Sequence, residues 1–182
     1  MSTPTDPLLA TSEPPDLGPG PREGTRSPEL LEVELTRYFK NHEVPLKSRD
    51  LVKALVLLWH DHLEAAHTIA QSVDNADGAF VHGIMHRREP DYSNAAYWFR
   101  RVGRHPAFLE IARQAARLLK SAGNQTLARD LLPDGQWDPF AFIAACERVA
   151  DKAAGDAERQ LIRELQRLES ETLLRRLVGE GP

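Results

Sequence analysis

The apolar positions of this chain recur with the period of an α-helix along most of its length. In the segment LLEVELTRYF, Leu31, Leu35, Tyr38 and Phe39 fall on one helical face. No segment shows a strand-like alternation that fits better than the helical spacing. The pattern therefore predicts an all-α fold of stacked antiparallel helical hairpins, arranged as a short solenoid-like array or a bundle.

Capping residues and helix breakers divide this pattern into roughly six to eight predicted helices. The first follows Ser27 and runs over about residues 28–40, and the second follows Ser48. Whether that second helix continues beyond Asp61 stays open from the pattern, and we favour a turn there, with Asp61 as a possible cap of a new helix. Further breaks are predicted at residues 74–78, 89–91, 103–106, 123, 133–138 and 155.

The first part of the chain differs in composition from the rest. Residues 1–26 are rich in proline, glycine and small polar residues and offer few apolar side chains to bury, which predicts a disordered leader. Residues 27–178 then form a single predicted helical domain, and residues 179–182 form a short disordered tail. A length of 182 residues suits one domain with one hydrophobic core.

Composition narrows the classes of function. The chain has no apolar run near the roughly 20 residues that cross a bilayer and no secretory signal, so we expect a cytoplasmic protein without a membrane partner. Its net charge of −4 argues against nucleic-acid binding. The single cysteine, Cys146, excludes an internal disulfide and a cysteine-built metal site, and its apolar neighbours predict burial.

The central stretch from Trp59 to Pro106 concentrates the unusual residues, with six of the seven histidines and two of the three tryptophans. Within residues 78–107, an alanine, a phenylalanine and a valine follow Gly83 at offsets of 12, 16 and 19. This spacing resembles a tetratricopeptide or Sel1-like helical hairpin. His82 and His86 occupy positions where such a repeat usually has a leucine and an aromatic residue.

A wider resemblance covers about residues 50–175. The strings WHDHLEAAH, HGIMHRREPDYSNAAYWFRRVGRHP and GQWDPFAF are similar to those of a family of small bacterial all-helical proteins without an assigned function. The resemblance implies the limits of the domain and brings no activity with it.

Arginine and aromatic residues on the predicted helix at 92–102 suggest a binding surface. The apolar residues of this helix face inward, so guanidinium groups and an indole remain together on its outer side. This combination suits the binding of carboxylates and phosphates. We therefore predict a non-enzymatic binding or scaffold module for a protein or a small anionic ligand, without a cofactor. The predicted binding residues are Arg87, Arg88, Asn94, Trp98, Arg100, Arg101, Arg104 and His105. Alternatively, acids of residues 49–79, such as Asp61, Glu64, Asp74 and Asp77, simply neutralise the arginines.

The histidines suggest a different function. His82 and His86 lie four residues apart, which places two imidazoles on one helical face, as zinc sites often require. The full set of candidate ligands is His60, His62, Glu64, His67, His82 and His86. This alternative is a protein that depends on zinc, iron or manganese, with hydrolysis as its reaction. Against it, histidines at helix ends often have structural roles, and the chain lacks an HExxH motif, a nucleophile elbow and a glycine-rich phosphate loop. No catalytic residue is therefore predicted.

Overall fold

The computed structural model describes residues 7–180, and over this range the protein is all-α, as predicted. The described residues form nine α-helices, one more than the upper limit predicted, because two short segments are helices of their own. Single 3-10 turns lie at Leu46–Ser48 and Pro133–Gly135. The helices are α1 (Pro28–Asn41), α2 (Arg49–Trp59), α3 (Leu63–Ala70), α4 (Ala76–Arg88), α5 (Tyr92–Val102), α6 (Ala107–Ser121), α7 (Gln125–Leu131), α8 (Pro139–Val149) and α9 (Ala157–Leu177).

Local capping explains most of the helix boundaries. The side chain of Asn75 accepts a hydrogen bond from the backbone N–H of Gly78 at 2.8 Å, and Asp138 caps α8 in the same way. The predicted turn between α2 and α3 is confirmed, but Asp61 does not cap α3. Asp61 has a positive φ of 67°, and its carboxylate pairs with arginines instead.

Helices α1, α3, α4 and α9 pack around α2, whose residues are buried almost all round. Gly83 of α4 allows the close approach of α5, because a Cβ atom at this position would lie 2.6 Å from a ring carbon of Phe99. Ala95 and Val102 of α5 are buried beside Phe99, as the helical spacing predicted. Within residues 7–180, no helix is both long and apolar enough to cross a membrane.

The leader differs from the prediction of disorder. Residues 7–26 contain no helix or strand, yet Leu8 and Leu17 are 2% and 5% exposed and belong to the hydrophobic core. A segment with few apolar residues cannot form a core of its own, but it can bury them against helices that are already folded. The prediction of a disordered leader is thus corrected for residues 7–26, while residues 1–6 lie outside the described part of the chain.

Side chains of the helices hold the leader by its backbone. On α9, Arg163 donates to the carbonyl of Pro14 and Gln166 donates to that of Asp16 at 3.0 Å. Arg88 of α4 donates to the carbonyl of Gly18 at 3.0 Å. These bonds satisfy carbonyl groups that an extended segment leaves without partners. At the other end, Gly179 and Glu180 form a turn after α9, and residues 181–182 of the predicted tail are not described.

Candidate functional site

Three histidines meet a tryptophan where α3 packs beside the α4–α5 hairpin. The ring of His67 on α3 lies 5.2 Å from that of His82 and 5.5 Å from that of His86, between centroids. His82 also stacks on Trp98 of α5, at 4.0 Å and with an angle of 7° between the planes. We call His67, His82, His86 and Trp98 the histidine cluster. His82 and His86 lie on the same face because they are four residues apart on α4, whereas His67 joins them because α3 packs beside α4.

His82 is the most enclosed member of the histidine cluster. Its side chain is 1% exposed, and neither ring nitrogen has a hydrogen-bond partner among the described residues. Burial and, to a smaller extent, the nearby imidazole of His67 lower the pKa of His82 to about 4, although the carbonyl of Gly78 opposes the shift. The ring is therefore neutral at physiological pH.

His86 has polar partners that His82 lacks. Its Nδ1 atom lies 3.1 Å from a carboxylate oxygen of Glu89, and the side-chain amide of Asn94 lies 3.2 Å from Nε2. Burial lowers the pKa of His86, and the carboxylate of Glu89 opposes this effect. A histidine with a carboxylate can transfer protons. Among the described residues, however, the side-chain partners of His86 are Glu89 and Asn94, and neither has a hydroxyl or thiol nucleophile.

The candidate metal ligands separate into two groups. Only three of the six, His67, His82 and His86, come together. His60 and His62 instead hold the leader: a ring nitrogen of His60 lies 3.0 Å from the Leu8 carbonyl, and one of His62 lies 2.7 Å from the Arg26 carbonyl. Glu64 is exposed at the start of α3. Among residues 7–180, no group of three or more His, Cys, Asp and Glu side chains is arranged to hold a metal ion.

Two of the predicted binding arginines are part of the protein interior. Arg87 is 1% exposed, and its guanidinium pairs with Glu169 of α9. Arg88 is equally buried, pairs with Asp61 at 2.6 Å and donates to the leader. Burial alone raises the pKa of Asp61, but the guanidiniums of Arg88 and Arg22 outweigh it and lower the pKa. Both arginines are thus corrected from surface residues to structural ones, because the helices and the leader cover them.

His105 is also enclosed rather than presented to solvent. Its side chain is 2% exposed, and its Nε2 atom lies 2.9 Å from a carboxylate oxygen of Asp77. The ring packs edge-on against Phe80, with 5.1 Å between centroids. His105 therefore joins α4 to the start of α6, and the prediction that it lies on the binding surface is corrected.

The remaining predicted residues form an exposed surface on α5. Arg101 is 45% exposed, its guanidinium lies 5.4 Å from the ring centroid of Trp98, and it pairs with Asp74 at 2.7 Å. Trp98 and Asn94 are half-buried, and Arg100 and Arg104 are exposed. Tyr97, which was not among the predicted binding residues, is 49% exposed beside Trp98. We call Asn94, Tyr97, Trp98, Arg100, Arg101 and Arg104 the α5 surface.

Internal neutralisation accounts for some of the arginines, as the alternative proposed. Asp61 pairs with Arg88, and Asp74 pairs with Arg101.

Cys146, predicted to be buried, is 1% exposed, and burial raises the pKa of its thiol to about 12. A thiol in this state is protonated at neutral pH and cannot act as a nucleophile.

The buried His82 gives a prediction for the pH dependence of stability. The unfolded chain binds a proton on this residue below about pH 6.5, whereas the folded protein keeps the ring neutral down to about pH 4. The unfolded state therefore binds more protons in this window, and the free energy of unfolding falls as the pH is lowered through it, by up to about 3 kcal/mol for a shift of this size.

Urea unfolding at a series of pH values, with a chelator in every buffer, measures this effect. His82→Phe keeps an aromatic ring against Trp98 and removes the titration, so its stability should fall less steeply between about pH 6.5 and pH 4. The exposed His42 supplies the control variant His42→Gln, which should keep the slope of the parent protein. Identical slopes for all three proteins would contradict the assignment of a neutral, buried His82.

Comparison with known proteins yields no family model, no curated protein and no solved structure that matches this chain.

Proposed function

We propose that this protein is a non-enzymatic binding module that holds an acidic segment of a partner protein on the α5 surface. One observation carries the proposal: the exposed guanidinium of Arg101 lies over Trp98, which also stacks on the buried ring of His82. His82 orients the indole, and the indole orients the guanidinium. Part of the entropy cost of ordering a long arginine side chain is therefore met before any ligand binds.

The composition of the α5 surface supports a protein partner. Tyrosine, tryptophan and arginine are the residues that contribute most binding energy at protein interfaces. Tyr97 and Trp98 provide the aromatic area, and Arg100 and Arg104, close to Arg101 in the chain, are also exposed. A guanidinium binds a carboxylate through two parallel hydrogen bonds, which favours glutamate and aspartate in the partner.

The ion pair of Arg101 with Asp74 is compatible with this role. The side chain of Asp74 is 89% exposed, and such surface pairs contribute little to stability. A carboxylate of the partner can therefore replace Asp74 at small cost. Asp74 would then serve as an internal competitor that weakens binding of short acidic ligands.

A short glutamate-rich peptide, with a lysine-rich peptide of equal length as its counterpart, tests the proposal by titration calorimetry. We expect the glutamate-rich peptide to bind and the lysine-rich peptide not to bind. Trp98→Ala and Arg101→Ala should each raise its dissociation constant by at least about tenfold, because each removes a residue type that dominates interfaces. Arg113→Ala, which removes an exposed arginine of α6, should leave the constant unchanged.

Asp74→Asn gives a further check, since removal of the competing carboxylate should tighten peptide binding. Equal affinity of the parent protein, Trp98→Ala and Arg101→Ala for the glutamate-rich peptide would refute the proposal. Binding of inorganic phosphate as tightly as the peptide would assign the α5 surface to small anions instead.

The metal-dependent alternative has one observation in its favour. His67, His82 and His86 are neighbours, and both ring nitrogens of His82 lack hydrogen-bond partners among the described residues. The rings of His82 and His86 are 6.0 Å apart and nearly parallel, at 17°, so they would have to reorient before their nitrogens could share an ion at about 2 Å. Elemental analysis of tag-free protein separates the two functions, since near-stoichiometric zinc, iron or manganese is expected for the alternative alone.

A further inference from the structure

A cavity of about 610 Å³ lies between α6 and α9, away from the histidine cluster. Gln114 and Arg117 line it from α6, Thr172 and Arg175 line it from α9, and the turn at Gly179 closes one end. The volume falls within the range of about 300–1,000 Å³ that small-molecule sites occupy. We call this space the α6–α9 cavity.

Arg175 is the unusual residue of the α6–α9 cavity. Its Nη2 atom is buried and has no hydrogen-bond partner among the described residues. The buried Arg159 and Arg163, by contrast, pair with the carboxylates of Asp16 and Glu13. A buried donor of a charged group that lacks an acceptor destabilises the folded state. Arg175 lines the cavity, so its guanidinium, once turned toward the cavity, would find the missing acceptor in an anion bound there.

The other charged groups around the α6–α9 cavity do not neutralise the guanidinium of Arg175. Arg176 faces Asp77 at 3.7 Å, so its charge is already compensated. The carboxylate of Glu110 is engaged with Gln114 at 3.0 Å and with Arg113 at 3.5 Å. Glu180 also lines the cavity, and its charge opposes anions that extend toward the final turn. Arg117 and Arg175 have no ion-pair partner in the part of the chain that the structure describes.

The walls of the α6–α9 cavity determine which anion fits. Pro106 and Ala107 provide apolar surface at the start of α6. Gln114 and Thr172 hydrogen-bond to each other at 3.2 Å and join the two helices across the cavity. Apolar surface and guanidinium groups in the same cavity favour a molecule with a hydrocarbon part and an anionic end over a bare ion.

We propose that the α6–α9 cavity binds a small organic anion, whose carboxylate or phosphate oxygens are held by Arg117 and Arg175 while its hydrocarbon part packs against Pro106 and Ala107. This site is separate from the α5 surface, and the proposal does not depend on the function proposed for the α5 surface.

Titration calorimetry of the full chain with four probes tests the proposal: phenylphosphate, benzoate, inorganic phosphate and the uncharged benzyl alcohol. We expect phenylphosphate or benzoate to bind more tightly than inorganic phosphate, and benzyl alcohol not to bind. Arg175→Gln should raise the dissociation constant of the tighter probe by about tenfold or more, as the loss of a bidentate charge-assisted contact implies. Whichever of phenylphosphate and benzoate binds more tightly identifies the anionic group that the site prefers.

Arg117→Gln tests the same site with an exposed residue, so the proposal stays testable if Arg175→Gln does not fold. Lys120→Gln on the same helix is the matched control, because Lys120 is exposed and does not line the cavity, and the dissociation constant of this variant for the tighter probe should match that of the parent. Absence of binding by both organic anions at millimolar concentration would overturn the proposal. Unchanged affinity in Arg117→Gln, or equal binding of benzyl alcohol, would overturn it as well.

Discussion

Glu169→Leu is expected to lower the free energy of unfolding by about 3–5 kcal/mol, because it leaves a buried guanidinium without its counter-charge. The side chains of Arg87 and Glu169 are both 0% exposed. The guanidinium of Arg87 lies 4.5 Å from the ring centroid of Phe142 and 5.9 Å from that of Phe99, so no water can replace the lost carboxylate without disrupting the core. Chemical denaturation in urea measures the change.

A double-mutant cycle separates the loss of the ion pair from the loss of packing. Arg87→Met combined with Glu169→Leu removes both charges and should cost less than the sum of the two single changes. Glu164→Leu on the same helix is the control, because Glu164 is 37% exposed and pairs with the partly exposed Arg167, and it should cost about 1 kcal/mol or less. A similarly small cost for Glu169→Leu would show that the buried pair does not stabilise α4 against α9.

Leu17→Ala is expected to lower the free energy of unfolding by about 2 kcal/mol or more, in the range for a buried leucine. Leu17 is 5% exposed within the leader, between the residues whose carbonyls bond to Gln166 and Arg88. A disordered leader would give no change at all, since its side chains would be equally exposed in the folded and unfolded states. Urea unfolding therefore distinguishes a packed leader from a disordered one.

Glu23→Ala is the control within the leader, because Glu23 is exposed, and its effect should be within about 0.5 kcal/mol of zero. Leu8→Ala provides a second test, since Leu8 is 2% exposed at the other end of the described leader. Deletion of residues 1–26 should cost more than either leucine substitution, because it also leaves Arg88 and Arg163 without the carbonyls they bind. Equal stability of the deleted and full chains would contradict a structural role for residues 7–26.

The α5 surface and the histidine cluster could be predicted in part. The spacing of Gly83, Ala95 and Phe99 correctly indicated the packed side of the α4–α5 hairpin. The positions of His82 and His86 on one face followed from the same periodicity. Periodicity identifies which residues share a face of a helix but not what covers that face. The prediction for Arg87 failed for this reason.

Helix boundaries depend on interactions between neighbours in the chain. Asn75 caps α4 through a residue three positions away, and Asp138 caps α8 through the residues two and three positions away. The sequence by itself therefore determined the all-α fold and nearly all of the breaks between helices. The resemblance to a family without an assigned function, the partner and the cytoplasmic location stay predictions.

Tertiary structure decided the roles of the charged residues and of the leader. Arg87 meets Glu169 across 82 residues of chain, and Arg88 meets the carbonyl of Gly18 across 70. Such pairs form because distant segments of the chain pack against each other, and no local sequence pattern shows which segments will do so. For the same reason, a proline-rich segment that cannot fold alone becomes ordered here, since its leucines and carbonyls find their partners on helices α2, α4 and α9.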